Sequence, residues 1–97
     1  MIRHIVLLTF VNDATDAQVQ AIADALTAGP GRLAIAGRYL VGTDIGVNPA
    51  NAGFAVTADF ATVDDYLAYR DDPEHQRIIA ELITPILAGR AAVQYEI

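Results

Sequence analysis

Two histidines are the side chains of this sequence best suited to moving protons, and both fall inside apolar patterns rather than on polar faces. His4 shares the alternation Ile2, Val6, Leu8, Phe10, one face of a strand with a period of two. His75 stands three and four residues before Ile78 and Ile79, at the head of an apolar stripe with helical spacing. If both patterns pack inward, the two imidazoles reach one interior between a sheet and a helix. Asp72-Pro73-Glu74 reads as a helix start, which places His75 in the first turn, where the macrodipole opposes an added positive charge. A neutral imidazole there can accept a proton or hydrogen-bond a carbonyl, the role of a general base. The plainer alternative is structural: His4 satisfied by a backbone carbonyl at the strand edge, His75 bonded to its own helix start beside Asp72 and Glu74.

Tyr69 lies six residues before His75, across the Asp72-Pro73 turn, so a phenol ending one helix can approach an imidazole opening the next. Tyr66 fits a Val63–Leu67 stripe better and reads as core. Tyr39 and Tyr95 read as packing across strands. The acids Asp64, Asp65, Asp71 and Asp72 gather at helix starts, where capping accounts for them. Two imidazoles without an inward carboxylate or a thiolate are a poor ligand set, so no metal and no other cofactor is expected. Serine is absent, which excludes serine hydrolase chemistry, and Gly29-Pro30-Gly31 is too short and wrongly placed to cradle a phosphate.

The elements that must hold these groups follow from periodicity. Residues 2 to 10 form a strand whose second face, Arg3, Ile5, Leu7 and Thr9, is also largely apolar, so both sides need cover. Thr15 and Gln18 have capping-box spacing, and Val19, Ile22, Ala23 and Leu26 carry a helix over 16–28, ended by Gly29-Pro30-Gly31. A second strand runs from Arg38 to Thr43. A loop from Asp44 to Gly53 precedes a third strand with Phe54, Val56, Ala58 and Phe60 on one face. Thr62 and Asp65 open a short second helix. The third helix carries Ile78, Ile79, Leu82, Ile83 and Ile86, is bent or ended by Pro85, and is broken at Gly89. Ala91, Val93, Tyr95 and Ile97 make one face of the last strand. The order is β-α-β-β-α-α-β, an α+β, ferredoxin-like plan: a four-stranded antiparallel sheet with helices on one face, in a single domain spanning 1–97. A second sheet on the other face, in a twofold dimer, satisfies both constraints.

Composition agrees. In 97 residues, 54% are hydrophobic, more than the roughly 45–50% of an ordinary soluble domain, and the surplus calls for a partner subunit. A net charge of −6 argues against nucleic acid and anionic membranes. No stretch nears the about 18 apolar residues of a membrane helix, and the absence of cysteine excludes a disulfide scaffold. A cytoplasmic protein is expected.

The run Arg3-His4-Ile5-Val6-Leu7-Leu8-Thr9-Phe10, the passage from Phe54 through Phe60 to Tyr66 and Tyr69, Asp72-Pro73-Glu74-His75, and the closing Val93-Gln94-Tyr95-Glu96 together resemble the stress-responsive A/B barrel (Dabb) family of the dimeric α+β barrel superfamily. The resemblance spans essentially the whole chain. It implies a homodimer whose sheets close into a barrel, with a cavity between sheet and helices in each subunit. In cyclase-type members the histidine after the proline is the base for aldol closure of a polyketide, assisted by a tyrosine six residues earlier and a first-strand histidine. Those roles fall on His75, Tyr69 and His4, with Val6, Leu8, Phe60 and Ile79 as pocket lining for a small apolar or ketone-containing ligand. Two readings follow: a cofactor-independent cyclase or lyase, and a non-catalytic stress-responsive or ligand-binding protein with structural histidines. An oxygenase of related branches fits least, for want of tryptophan and of a suitably placed late-helix histidine.

Overall fold

Each helix begins where a short polar side chain can satisfy the otherwise orphaned amides of the first turn. Thr15 Oγ1 accepts from the Gln18 amide at 3.1 Å and Gln18 Oε1 accepts from the Thr15 amide at 2.9 Å, the reciprocal box read from the sequence. Thr62 caps the second helix through the Asp65 amide, and Asp72 the third through the His75 amide at 3.0 Å. The computed structural model describes every residue, Met1–Ile97. Its elements are β1 (Ile2–Phe10), α1 (Asp16–Ala28), β2 (Ala36–Thr43), β3 (Phe54–Phe60), α2 (Val63–Asp71), α3 (Pro73–Ile78) and β4 (Leu87–Glu96). A 3₁₀ turn at Pro30–Arg32 follows α1.

The strands form one antiparallel sheet in the order β2-β3-β1-β4. This is the ferredoxin-like arrangement, with the helices on one face. Val6, Leu8, Phe54 and Val56 of that face pack against Ile22 and Leu26 of α1 and against Ile78, Ile83 and Ile86 beyond α2. A second, smaller cluster of Ala58, Phe60 and Tyr69 closes the other end. The opposite face keeps Leu7, Leu40, Val93 and Tyr95 between 42% and 51% exposed. Among them Arg3 makes a two-pronged ion pair with Asp59 at 2.8 and 2.9 Å. No helix is long and apolar enough to cross a membrane.

Four expectations need correction. Strand β2 starts at Ala36, two residues before Arg38. The third helix is not one helix: α3 ends at Ile78, a π-helical turn runs Ile79–Ile83, and a 3₁₀ turn covers Thr84–Ile86. Pro85 has no amide to continue the helical ladder, so the chain cannot go on as an α-helix past Thr84, which itself keeps α geometry. The Thr84 amide reaches back five residues to the Ile79 carbonyl. Gly89 breaks nothing; it lies inside β4, opposite Thr9, beside a register shift. In α2 the inward face also differs, since Val63 is 56% exposed while Tyr69 is buried.

Gly31 is needed for close approach. A β-carbon there would stand 2.6 and 3.0 Å from the Tyr39 ring and 3.1 Å from the Leu26 carbonyl. Gly31→Ala is expected to push Tyr39 aside and lower stability by about 1–3 kcal/mol, as overpacking does. Thermal denaturation checks this, and an unchanged melting temperature would show that Tyr39 yields freely.

Candidate active site

A cavity of about 140 Å³ lies between the sheet and the chain running from α2 through α3 to Ile83. Its walls are chiefly apolar, with Val6, Leu8, Val56, Ile79 and Ile83 among them. His4, Tyr69 and His75 all line it, so residues 71 positions apart in sequence meet at one space. Of the expected lining, Val6, Leu8 and Ile79 are present, but Phe60 is not. Phe60 is fully buried behind the cavity, its ring centroid 5.0 Å from Tyr69 and 5.8 Å from Tyr66. It lies at the far end of β3, where the sheet twists it under the two tyrosines.

The two imidazoles are held in opposite tautomers. His75 Nδ1 lies 2.9 Å from the Arg70 carbonyl. A carbonyl only accepts, so Nδ1 carries the hydrogen and Nε2 keeps the lone pair. Arg70 lies in the last turn of α2, where carbonyls lose their helical partners, and the Gln76 side chain donates to the same oxygen. His75 Nε2 has no partner in the protein. His4 is 3% exposed, and its Nδ1 accepts from Gln94 Nε2 at 2.9 Å; the expected backbone carbonyl is not its partner. Its hydrogen therefore sits on Nε2. No buried side-chain nitrogen or oxygen is left unsatisfied, and Nε2 has no protein partner, so that N–H opens onto the cavity. Burial, then the nearby charges of Arg90 and His75, hold the His4 imidazole down to about 4, so it is neutral at pH 7.

Tyr69 lies beside His75 as expected, and Tyr66 joins it at the cavity. Tyr69 is 1% exposed and its hydroxyl shares a 3.0 Å hydrogen bond with Tyr39. Burial raises the Tyr69 phenol far above its ordinary range. Its ring packs on His75, centroids 4.4 Å apart, and fixes that imidazole. Tyr66, expected as core, is half-buried and lines the cavity with its ring 4.9 Å from His4. The i, i+3, i+4 face of α2 thus carries Tyr66, Tyr69 and Arg70 together.

Arg70, Arg90 and Gln94 were not anticipated. Gln94 faces His4 because β4 is paired directly to β1, a neighbourhood 90 positions apart that no local pattern announces. Nowhere do three His, Cys, Asp or Glu side chains gather as a metal site requires. The arrangement offers one nitrogen that can take a proton and one N–H that can donate a hydrogen bond, facing a largely apolar space.

A family model described as the stress responsive A/B barrel domain matches residues 2–97. The chain belongs to the Dabb family. Among solved structures, the Dabb chain is similar to a dimeric ferredoxin-like protein from Thermobifida fusca at 38% identity and a TM-score of 0.91, over 99% of this chain and 90% of that one. A Dabb family protein from Mesorhizobium loti gives 18% identity and a TM-score of 0.82, over 99% and 95%. A hydroxynitrile lyase from Passiflora edulis gives 21% and 0.83, over 99% and 92%, a likeness of fold. None of the curated proteins matches the chain.

Proposed function

We propose that this Dabb chain is a homodimer that catalyses cofactor-independent proton removal next to a carbonyl, the opening step of a cyclase or lyase reaction on a small, polyketide-like or other ketone substrate. The observation that carries the reading is the pair of opposite tautomers on one cavity. His75 Nε2 takes a proton from the carbon beside the carbonyl. The C–H electron pair moves into the C–C bond and the carbonyl pair onto oxygen, where the His4 Nε2–H stabilises the developing charge. The resulting enolate attacks a second carbonyl in a cyclisation, and His75 returns its proton to the alkoxide formed. Tyr69, with its hydroxyl engaged by Tyr39, acts as a positioning residue for His75 rather than as a donor to substrate.

Acetophenone is a suitable probe, since its ring matches the cavity and its methyl protons exchange slowly in neutral buffer. Exchange of those protons for deuterium, followed by NMR, is expected to accelerate with the protein present. A rate equal to buffer alone sinks the catalytic reading. In that case the second reading holds, a ligand-binding protein with structural histidines, which the hydrogen bonds of His75 to the Arg70 carbonyl and of Gln94 to His4 support.

The dimer rests on the open sheet face. Leu7, Leu40, Val93 and Tyr95 form an apolar surface that is still half exposed, each contributing about 1 kcal/mol when the remainder is covered. The dimeric state of the Thermobifida fusca relative supports a second copy as the cover. Size-exclusion chromatography at low micromolar concentration is expected to show twice the 10.3 kDa chain mass, and a clean monomer contradicts the assignment.

A further inference from the structure

The cavity has an electrostatic character opposite to that of the chain. The sequence holds twelve acidic residues against six arginines, yet no carboxylate lines the cavity, while Arg70 and Arg90 both do. Arg70 is neutralised by Asp71 at 2.8 and 3.1 Å. Arg3 and Arg77 are likewise paired, with Asp59 and with Glu74 and Glu81. Arg90 has neither an ion pair nor a side-chain hydrogen bond. It stands opposite Leu8 on the helix-facing side of β4, an edge strand, so its guanidinium remains hydrated at the cavity mouth. An unpaired planar fork beside an apolar space, in an otherwise acidic protein, attracts an anion and leaves the rest of the ligand to the apolar walls. The size of the ligand is limited too. A cavity of about 140 Å³ compares with the roughly 150 Å³ engineered cavity that takes up benzene, room for one six-membered ring.

We propose that the ligand of this site is a small organic acid, with a ring-sized apolar body seated on Val6, Leu8 and Ile83 and a carboxylate held by Arg90 at the mouth. This deepens the catalytic reading and rests on its assignment of the cavity as the substrate site: Arg90 fixes one end of the molecule so that its carbonyl faces His4 and His75.

Benzoate and its neutral isostere benzamide separate the acid from the ring. Titrated into ¹⁵N-labelled protein, benzoate is expected to bind roughly tenfold or more tightly than benzamide, with both shifting the amides of Val6, Leu8 and Ile83. Raising the salt concentration is expected to narrow the ratio. Arg90→Gln is expected to bring it close to one, Arg90→Lys to keep part of it, and Arg38→Gln, on the opposite sheet face, to leave it unchanged. Equal affinity of the two probes in the unmodified protein, or a ratio that Arg90→Gln does not alter, overturns the acid proposal but leaves the cavity as a ligand site. Failure of both probes to move the cavity amides overturns the acid proposal together with the reading on which it rests. The salt series on the unmodified protein decides the matter even where Arg90→Gln fails to fold.

Discussion

Replacement of His75 by alanine is expected to reduce acetophenone exchange to the buffer rate, a loss of about 10²–10⁴-fold, the usual contribution of a positioned general base. The physical ground is that His75 Nδ1 is committed to the Arg70 carbonyl, which leaves Nε2 as the nitrogen that can receive a proton. Nothing else in the cavity can substitute: His4 Nδ1 is occupied by Gln94, and Arg70 and Arg90 are cationic. The fold is expected to survive the change. The Asp72 cap bonds the backbone amide at position 75, which alanine retains, and Gln76 still donates to the Arg70 carbonyl. The stability cost is therefore about 1 kcal/mol, one ordinary hydrogen bond. Exchange that persists in His75→Ala removes this histidine from the mechanism. A large fall in melting temperature without any effect on exchange assigns it a structural role instead.

The second large effect concerns acid. His4 in the folded protein titrates at about 4, against 6.5 for an unperturbed histidine. Because the folded value is the lower one, the unfolded chain binds the proton first as pH falls. Stability from this group is thus complete above pH 6.5 and is lost as pH drops from 6.5 toward 4. At about 1.4 kcal/mol per pH unit the full loss is about 3 kcal/mol. Asp59, Asp71 and Glu74, whose carboxyls are held low by their arginine partners, lose their contribution only in the more acidic range. Urea midpoints measured from pH 7.5 to 4 are expected to fall steeply between 6.5 and 4 in the unmodified protein. In His4→Gln, which cannot titrate, that segment is expected to flatten. An equally steep fall in the variant would place the acid sensitivity elsewhere.

Much of this architecture was legible in the residues. The alternation around His4 set the faces of β1, and Thr15 with Gln18 marked the start of α1, because both signals are carried by neighbours within four positions. Where two local signals competed, periodicity chose wrongly. Val63 was grouped with Tyr66 and Leu67, but the tilt of α2 over the sheet turns Tyr69 inward and leaves Val63 in solvent. Phe60 carries the same alternating signal as Val56, and nothing in that signal tells which end of a strand lies under the cavity. The unwinding after Ile78 was half visible in Pro85, although its π-helical form depends on how the chain must reach β4.

The sequence by itself determined which residues of the strands face inward, where the helices begin, and that one sheet face would need a partner. These follow from side-chain period, capping groups and apolar surplus, all of which act locally or in sum. Only the tertiary structure decided the chemistry of the two histidines. His4 owes its tautomer to Gln94, delivered by an edge strand from the other end of the chain, and His75 owes its own to a carbonyl freed at the end of α2. A proton's place on an imidazole is set by the one atom that touches the other nitrogen, and that contact exists only once the strands have paired and the helices have docked.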